Sequence, residues 1–158
     1  MSKLLLYVPT RGRVGNQRTL KALPSKWRER AIIVCPKDEI RSHLKSFPEA
    51  TAIAQPDPDM TIAAKRAWIF KTARSEKIMM LDDDLRFAVR VKTLKEFKGY
   101  APEGSRGRTR DSRWAKACKK DPDIHKMITV KNDDSRLIAM FDAIEKMLSD
   151  YRHGGIGT

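Results

Sequence analysis

The sequence predicts an α/β fold, with a mainly parallel sheet covered by helices on both faces. Three observations lead there. Compact apolar runs recur at "KLLLYV" (3–8), "AIIVC" (31–35), "ATAIAQ" (50–55) and "KIMML" (77–81), and unbroken apolar runs of this length fit strands buried on both sides. Stretches of helical character separate them, so each strand is followed by a crossover that can bring the next one in parallel. Prolines or carboxylates close the runs, which puts the loops after the strands on one edge of the sheet, where ligands bind in such folds.

Each element has its own local signals. The first strand stops at Pro9; "PTRGRVGN" then turns on a proline and two glycines, and Asn16 is placed to cap a short helix over 17–23 that Pro24 ends. "AIIVC" is again closed by a proline, and "KDEIRSHLKSF" reads as a surface helix. After the third, weaker strand the turn-rich "PDPDM" leads to Asp59 or Thr61, either of which can cap a longer helix reaching about Arg74. Its apolar residues are dense enough to predict burial on most sides. Near the end, "MITV" (127–130) reads as a short strand. "NDDSRLIAMFDAIEKMLSDY" reads as an amphipathic helix whose Leu137, Met140, Phe141, Ile144, Leu148 and Tyr151 recur at helical spacing.

Between Arg86 and Lys126 there are 13 Lys or Arg against 5 Asp or Glu, a local +8 within a chain total of +13. "GYAPEGSRGRTRDSR" (99–113) inside it lacks periodic apolar residues, so 86–126 is expected to be a basic, mobile insertion in a single domain spanning 1–158. So positive a chain points to polyanionic partners, DNA above all. Trp114 within it could stack on a base or simply pack. With 158 residues, 41% of them hydrophobic, the chain can bury a core. No apolar run approaches the roughly 20 residues of a membrane helix and no signal-peptide pattern opens the chain, which predicts a cytoplasmic protein. Cys35 and Cys118 form no metal or disulfide pattern.

The densest chemistry is at "LDDDL" (81–85), three carboxylates at the mouth of an apolar strand. A hard divalent cation accounts for them: Mg²⁺ or Mn²⁺ takes one or two carboxylates and completes its shell with phosphate oxygens and water. If the segment is extended, Asp82 and Asp84 share a face and Asp83 points away. A turn after a buried strand would also use Asp. The second constellation is "PTRGR", in which a glycine between two arginines lets the backbone approach a ligand that the guanidiniums grip.

Taken together, "VPTRGR", "VCPKDE", "AAKRAWIF" and "IMMLDDDLRF" resemble, in this order and over residues 3–87, the donor-binding half of GT-A type nucleotide-sugar glycosyltransferases. The likeness is to the small phage and DNA-modification enzymes that glycosylate hydroxymethylated bases. It implies a Rossmann-like GT-A sheet and a metal-dependent transfer, with Mn²⁺ or Mg²⁺, from a UDP-glucose-like donor to a hydroxyl on a modified DNA base. It also implies a host cytoplasm if the chain is phage-encoded. Residue by residue, it assigns the nucleotide to Pro9, Thr10, Arg11 and Arg13, and the diphosphate to Arg66 or else Lys65. Asp82 and Asp83 join the donor contacts, and Asp82, Asp84 and His153 are the metal ligands. Asp133 and Asp134, which would also serve as helix caps, are the candidate base. Family catalytic domains continue well past the His-containing segment, so the resemblance implies either a minimal or truncated form or a segment 86–126 that does work usually assigned elsewhere.

Two alternatives stand beside it. A Toprim-like Mg²⁺-dependent nucleic-acid enzyme shares the Asp-x-Asp element but needs a glutamate after the first strand, where "PTRGR" stands. A non-enzymatic basic DNA-binding module would keep the acidic triplet as structure.

Overall fold

The structure, a computed structural model, describes residues 3–73, 75, 77–85, 87–91, 126–129 and 134–150. The chain divides into two compact units, Met1–Arg86 with Asp133–Thr158, and Phe87–Asn132.

In the first unit β1 (Leu5–Pro9), β2 (Ala31–Cys35), β3 (Thr51–Ala54) and β4 (Ile78–Met80) form an all-parallel sheet in the order β3-β2-β1-β4. This is the predicted α/β, Rossmann-like arrangement. Register runs from Leu6 opposite Ala31 to Pro9 opposite Val34 on one side of β1, and from Leu5 opposite Ile78 to Tyr7 opposite Met80 on the other. The chain builds outward from β1 to β3, then returns to the far side of β1 with β4. Strand order therefore reverses between β1 and β4, and a crevice opens beyond their carboxyl ends.

The two-residue period of the strands divides the core into two layers. Leu5, Tyr7, Ile32, Val34, Ile53, Ile78 and Met80 pack with Trp68, Ile69 and Ala73, from α4 (Ile62–Thr72) and its end. Leu4, Leu6 and Val8 alternate to the other side and are fully buried. Further large buried side chains come from α1 (Arg18–Ala22), with Leu20, from α2 (Ser25–Arg28), with Trp27, and from α5 (Asp134–Asp150), with Leu137 and Phe141. Trp27 of α2 and Phe141 of α5 set their rings 5.1 Å apart at 39°, a tilted contact that adds to the area they bury. A short 3₁₀ turn, Lys37–Glu39, leads into α3 (Ile40–Ser46).

Several local expectations are corrected. Asn16 caps nothing: its amide closes a turn onto the Arg13 carbonyl at 2.9 Å, and α1 starts after Gln17 with no side-chain cap. The helix α4 is not buried on most sides. Only Lys65 and Ile69 are buried along it, while Ile62 is 50% and Phe70 72% exposed, because a helix lying on one face of a sheet has only one stripe to bury. Its cap is Thr61, whose hydroxyl accepts from the Ala64 amide at 3.3 Å. On α5, Leu137 and Phe141 are buried as the periodicity predicts, but Met140 is 39% exposed.

Polar contacts near the amino ends of the strands fix α5. Glu145 accepts from the Leu4 amide at 2.7 Å and, through both carboxylate oxygens, from Arg30 Nη1 at 3.0 Å, and the Lys77 ammonium reaches Ser149 at 2.6 Å. Burial opposes ionisation of Glu145, but the amide and the guanidinium outweigh it and hold the carboxyl below the ordinary 4.5. That contribution to stability is complete above the ordinary value and is lost as pH falls through the lowered one. Glu145→Gln is therefore expected to lower the melting midpoint at neutral pH and to flatten its decline on acidification, which calorimetry across that range measures.

In the second unit, β5 (Ala88–Val91) and β6 (Lys126–Thr129) pair antiparallel, Ala88 opposite Thr129. The expected insertion therefore begins with a strand, which the β-branched "VRV" could have signalled. Residues 92–125, with Trp114 and Cys118, lie outside the described residues.

Candidate functional site

The loop after β1 is bound to the sheet through the Thr10 amide, which donates to the Val34 carbonyl at 2.9 Å. It then turns at Gly12, whose φ of 69° suits a residue without a Cβ. The Gly12 amide donates to Glu39 at 2.8 Å, so the 3₁₀ turn after β2 props the loop from behind. Glu39 also meets fully buried His43 at 3.4 Å. Arg11 and Arg13, on either side of Gly12, are thereby held outward, where Arg11 pairs with Asp59 at 2.8 Å.

Beside this loop β4 ends, and residues 82–84 form a turn, not an extended segment. Strand alternation therefore does not apply, and Asp82, Asp83 and Asp84 all line one cleft. Asp83, expected to point away, is the most enclosed of the three, its side chain 14% exposed. It accepts from the Thr10 hydroxyl at 2.6 Å, with Arg13 3.6 Å away. Asp84 pairs with Arg13 at 3.3 Å, and Asp82 pairs with Arg66. Both of these carboxylates are about half exposed, so each pair contributes little to stability and can part at small cost.

The cleft has a volume of about 550 Å³ and lies at the switch point between β1 and β4. That is within the range of small-molecule sites. The structure brings together Pro9, Thr10, Arg11, Arg13, Lys65, Asp82, Asp83 and Asp84 along its walls, with Arg66 at Asp82. Lys65 is buried, and its ammonium donates to the Thr10 carbonyl at 2.8 Å. Burial lowers its pKa, and neighbouring Cys35 and Glu39 counter that in part. It braces the arginine loop from beneath, whereas Arg66 is the exposed cation. The Cys35 thiol is buried and pushed up to about 11, chiefly by burial, which leaves it unreactive. Asp134 opens α5, and Asp133 and His153 lie outside the described residues.

A further wall was not anticipated. Asp59, Met60, Thr61 and Ile62 close the side of the cleft beyond β3. Buried Gln55 shapes their loop by donating to the carbonyls of Asp57 and Pro58 at 2.8 and 2.9 Å. The rule that ligands bind at strand carboxyl ends applies to β3 as well, so "PDPDM" could have been included on position alone.

The carboxylates suit a hard cation in donor type and exposure. Two or three adjacent oxygen ligands form part of a shell that diphosphate oxygens and water would complete. Among the described residues, no group of three His, Cys, Asp or Glu could hold a metal unaided.

An α/β domain whose switch-point crevice presents arginines and carboxylates together has the architecture of an enzyme that handles a charged small molecule. Residues 4–106 match the family model for the TET-associated glycosyltransferases, well over half of the chain, and the chain belongs to that family. It is a glycosyltransferase, which sets aside the Toprim-like and non-enzymatic readings. No curated protein matches the chain. Among the described residues, no helix is long and apolar enough to cross a membrane.

Proposed function

We propose that the chain transfers a sugar from a nucleoside diphosphate sugar to a hydroxyl on a modified base in DNA, with Mg²⁺ or Mn²⁺ held by Asp82 and Asp84. One observation supports this most: the Arg13–Asp84 and Arg66–Asp82 pairs on the lip of one cleft. The Arg13 and Arg66 guanidiniums would take the oxygens of a bound diphosphate, and Asp84 and Asp82, released from them, would hold its cation. Bound there, the cation would supply Lewis-acid neutralisation of the departing diphosphate. Arg11, Arg13 and Arg66 share that charge, while Asp83, committed to Thr10, stays fixed as the turn around it meets the ligand.

In the transfer, the acceptor oxygen bonds to the anomeric carbon, the bond from that carbon to the diphosphate breaks, and the acceptor proton passes to a carboxylate. For that base we retain Asp133 and Asp134. Asp134 is the first residue of α5, whose Glu145 and Ser149 meet Leu4 and Lys77 at the amino ends of β1 and β4. His153 stays a proposed metal ligand on the family resemblance alone.

The DNA acceptor is supported by the net charge of +13, most of it between Arg86 and Lys126. Calorimetry with Mn²⁺ and UDP-glucose is expected to show binding that a chelator abolishes. DNA binding is expected to fall steeply with salt as counterions are released. Absence of diphosphate binding with either cation would sink the reading of the cleft.

A further inference from the structure

The acidic turn is gripped by α1, a helix that takes no part in the cleft. The Arg18 and Thr19 amides both donate to the Asp83 carbonyl, at 3.0 and 3.3 Å. The Thr19 hydroxyl, fully buried, donates to the Asp82 carbonyl and accepts from the Leu85 amide at 2.9 Å. One hydroxyl thus ties the two ends of the turn together. Gln17, equally buried, reaches the turn from its other side: Nε2 donates to the Thr10 hydroxyl at 2.7 Å, and that hydroxyl donates to Asp83 at 2.6 Å.

A hydroxyl has one proton to give. Because the Gln17 amide supplies a proton to Thr10, the proton of Thr10 is free for Asp83, and the chain of bonds has a fixed direction ending on the carboxylate. Gln17 Oε1, meanwhile, is buried with no partner among the described residues. An orphaned buried oxygen costs free energy, so stability alone does not favour glutamine here. What glutamine supplies is the donor to Thr10. Neither Gln17 nor Thr19 lines the cleft.

We propose that Gln17 and Thr19 are positioning residues of the transfer reaction. They fix the height and orientation of the acidic turn, Thr19 through the backbone of Asp82 and Leu85 and Gln17 through Thr10, without touching the ligand. This rests on the reading that the turn receives a nucleoside diphosphate with its cation.

The test compares wild type with Thr19→Val, Thr19→Ser and Gln17→Met. Melting midpoints are measured for each, together with calorimetric titration of Mn²⁺ plus UDP, GDP, ADP or CDP. Thr19→Val is expected to weaken diphosphate binding by about 10- to 100-fold, as loss of an outer-shell partner does. Thr19→Ser, which keeps the hydroxyl, should restore it, and Gln17→Met should weaken it while the fold persists. Should Thr19→Val melt below the assay temperature, Gln17→Met decides by the same criterion. Wild type that takes up none of the four nucleotides overturns the reading of the cleft and this proposal with it. Wild type that binds, alongside folded Thr19→Val and Gln17→Met that bind equally well, overturns this proposal alone. So does Thr19→Ser that binds as weakly as Thr19→Val.

Discussion

Asp82→Ala is expected to reduce glycosyl transfer by about 10²–10³-fold, the scale of losing one group that stabilises charge developing in a transition state. The melting midpoint should hardly move. The two expectations go together because Asp82 pairs with Arg66 at the surface, with side chains 51% and 47% exposed, and exposed ion pairs contribute little to stability. An Asp kept for the fold would show the opposite pattern. Asp82→Asn sharpens the test, since it preserves shape and removes the charge. Normal activity in either variant would remove Asp82 from the chemistry, and a large drop in melting temperature would reassign it to structure. Arg66→Ala should mirror the loss more weakly, because Arg13 and Arg11 remain on the same lip.

Much of this site was legible because parallel strands announce themselves. "LLLYV" and "AIIVC" are apolar without alternation, and once they are strands, the positions of "TRGR" and "DDD" at a common edge follow from topology. The orientation of each carboxylate was not legible. It depends on whether residues 82–84 continue the strand or turn, and that is decided by α1, whose amides and Thr19 hydroxyl hold Asp83 and Asp82 by their carbonyls. Contacts between residues 19 and 83 leave no periodic mark on either segment. The exposure of Phe70 and Met140 was hidden for a related reason. Apolar density along a helix reports how much could be buried, whereas the partner surface determines how much is. The bond that buried Lys65 makes was not legible either: the resemblance offered it as the alternative to Arg66 at the diphosphate, and in the fold it lines the cleft while donating to the Thr10 carbonyl.

Trp27→Ala is expected to give the largest loss of stability, about 3–5 kcal/mol on the scale of removing a large aromatic from a core. Trp27 has no exposed surface, meets Phe141 ring to ring at 5.1 Å, and carries the Arg30 guanidinium 4.6 Å above its face. Arg30 in turn pairs with Glu145, so one indole links α2, the start of β2 and the helix α5, more than a hundred residues later. Its removal would open a void and also loosen the attachment of α5. A domain of this size is stable by only about 5–15 kcal/mol, so the variant should unfold at a much lower urea concentration. Phe141→Leu, which keeps apolar volume, should lose less. Activity per folded molecule is the decisive comparison. For Trp27→Ala it should stay near wild type at low temperature, since no group in the cleft has changed, whereas Asp82→Ala fails at any temperature. Persistent inactivity of a fully folded Trp27→Ala chain would show instead that the packing of α2 against α5 is needed to hold the reacting groups in place.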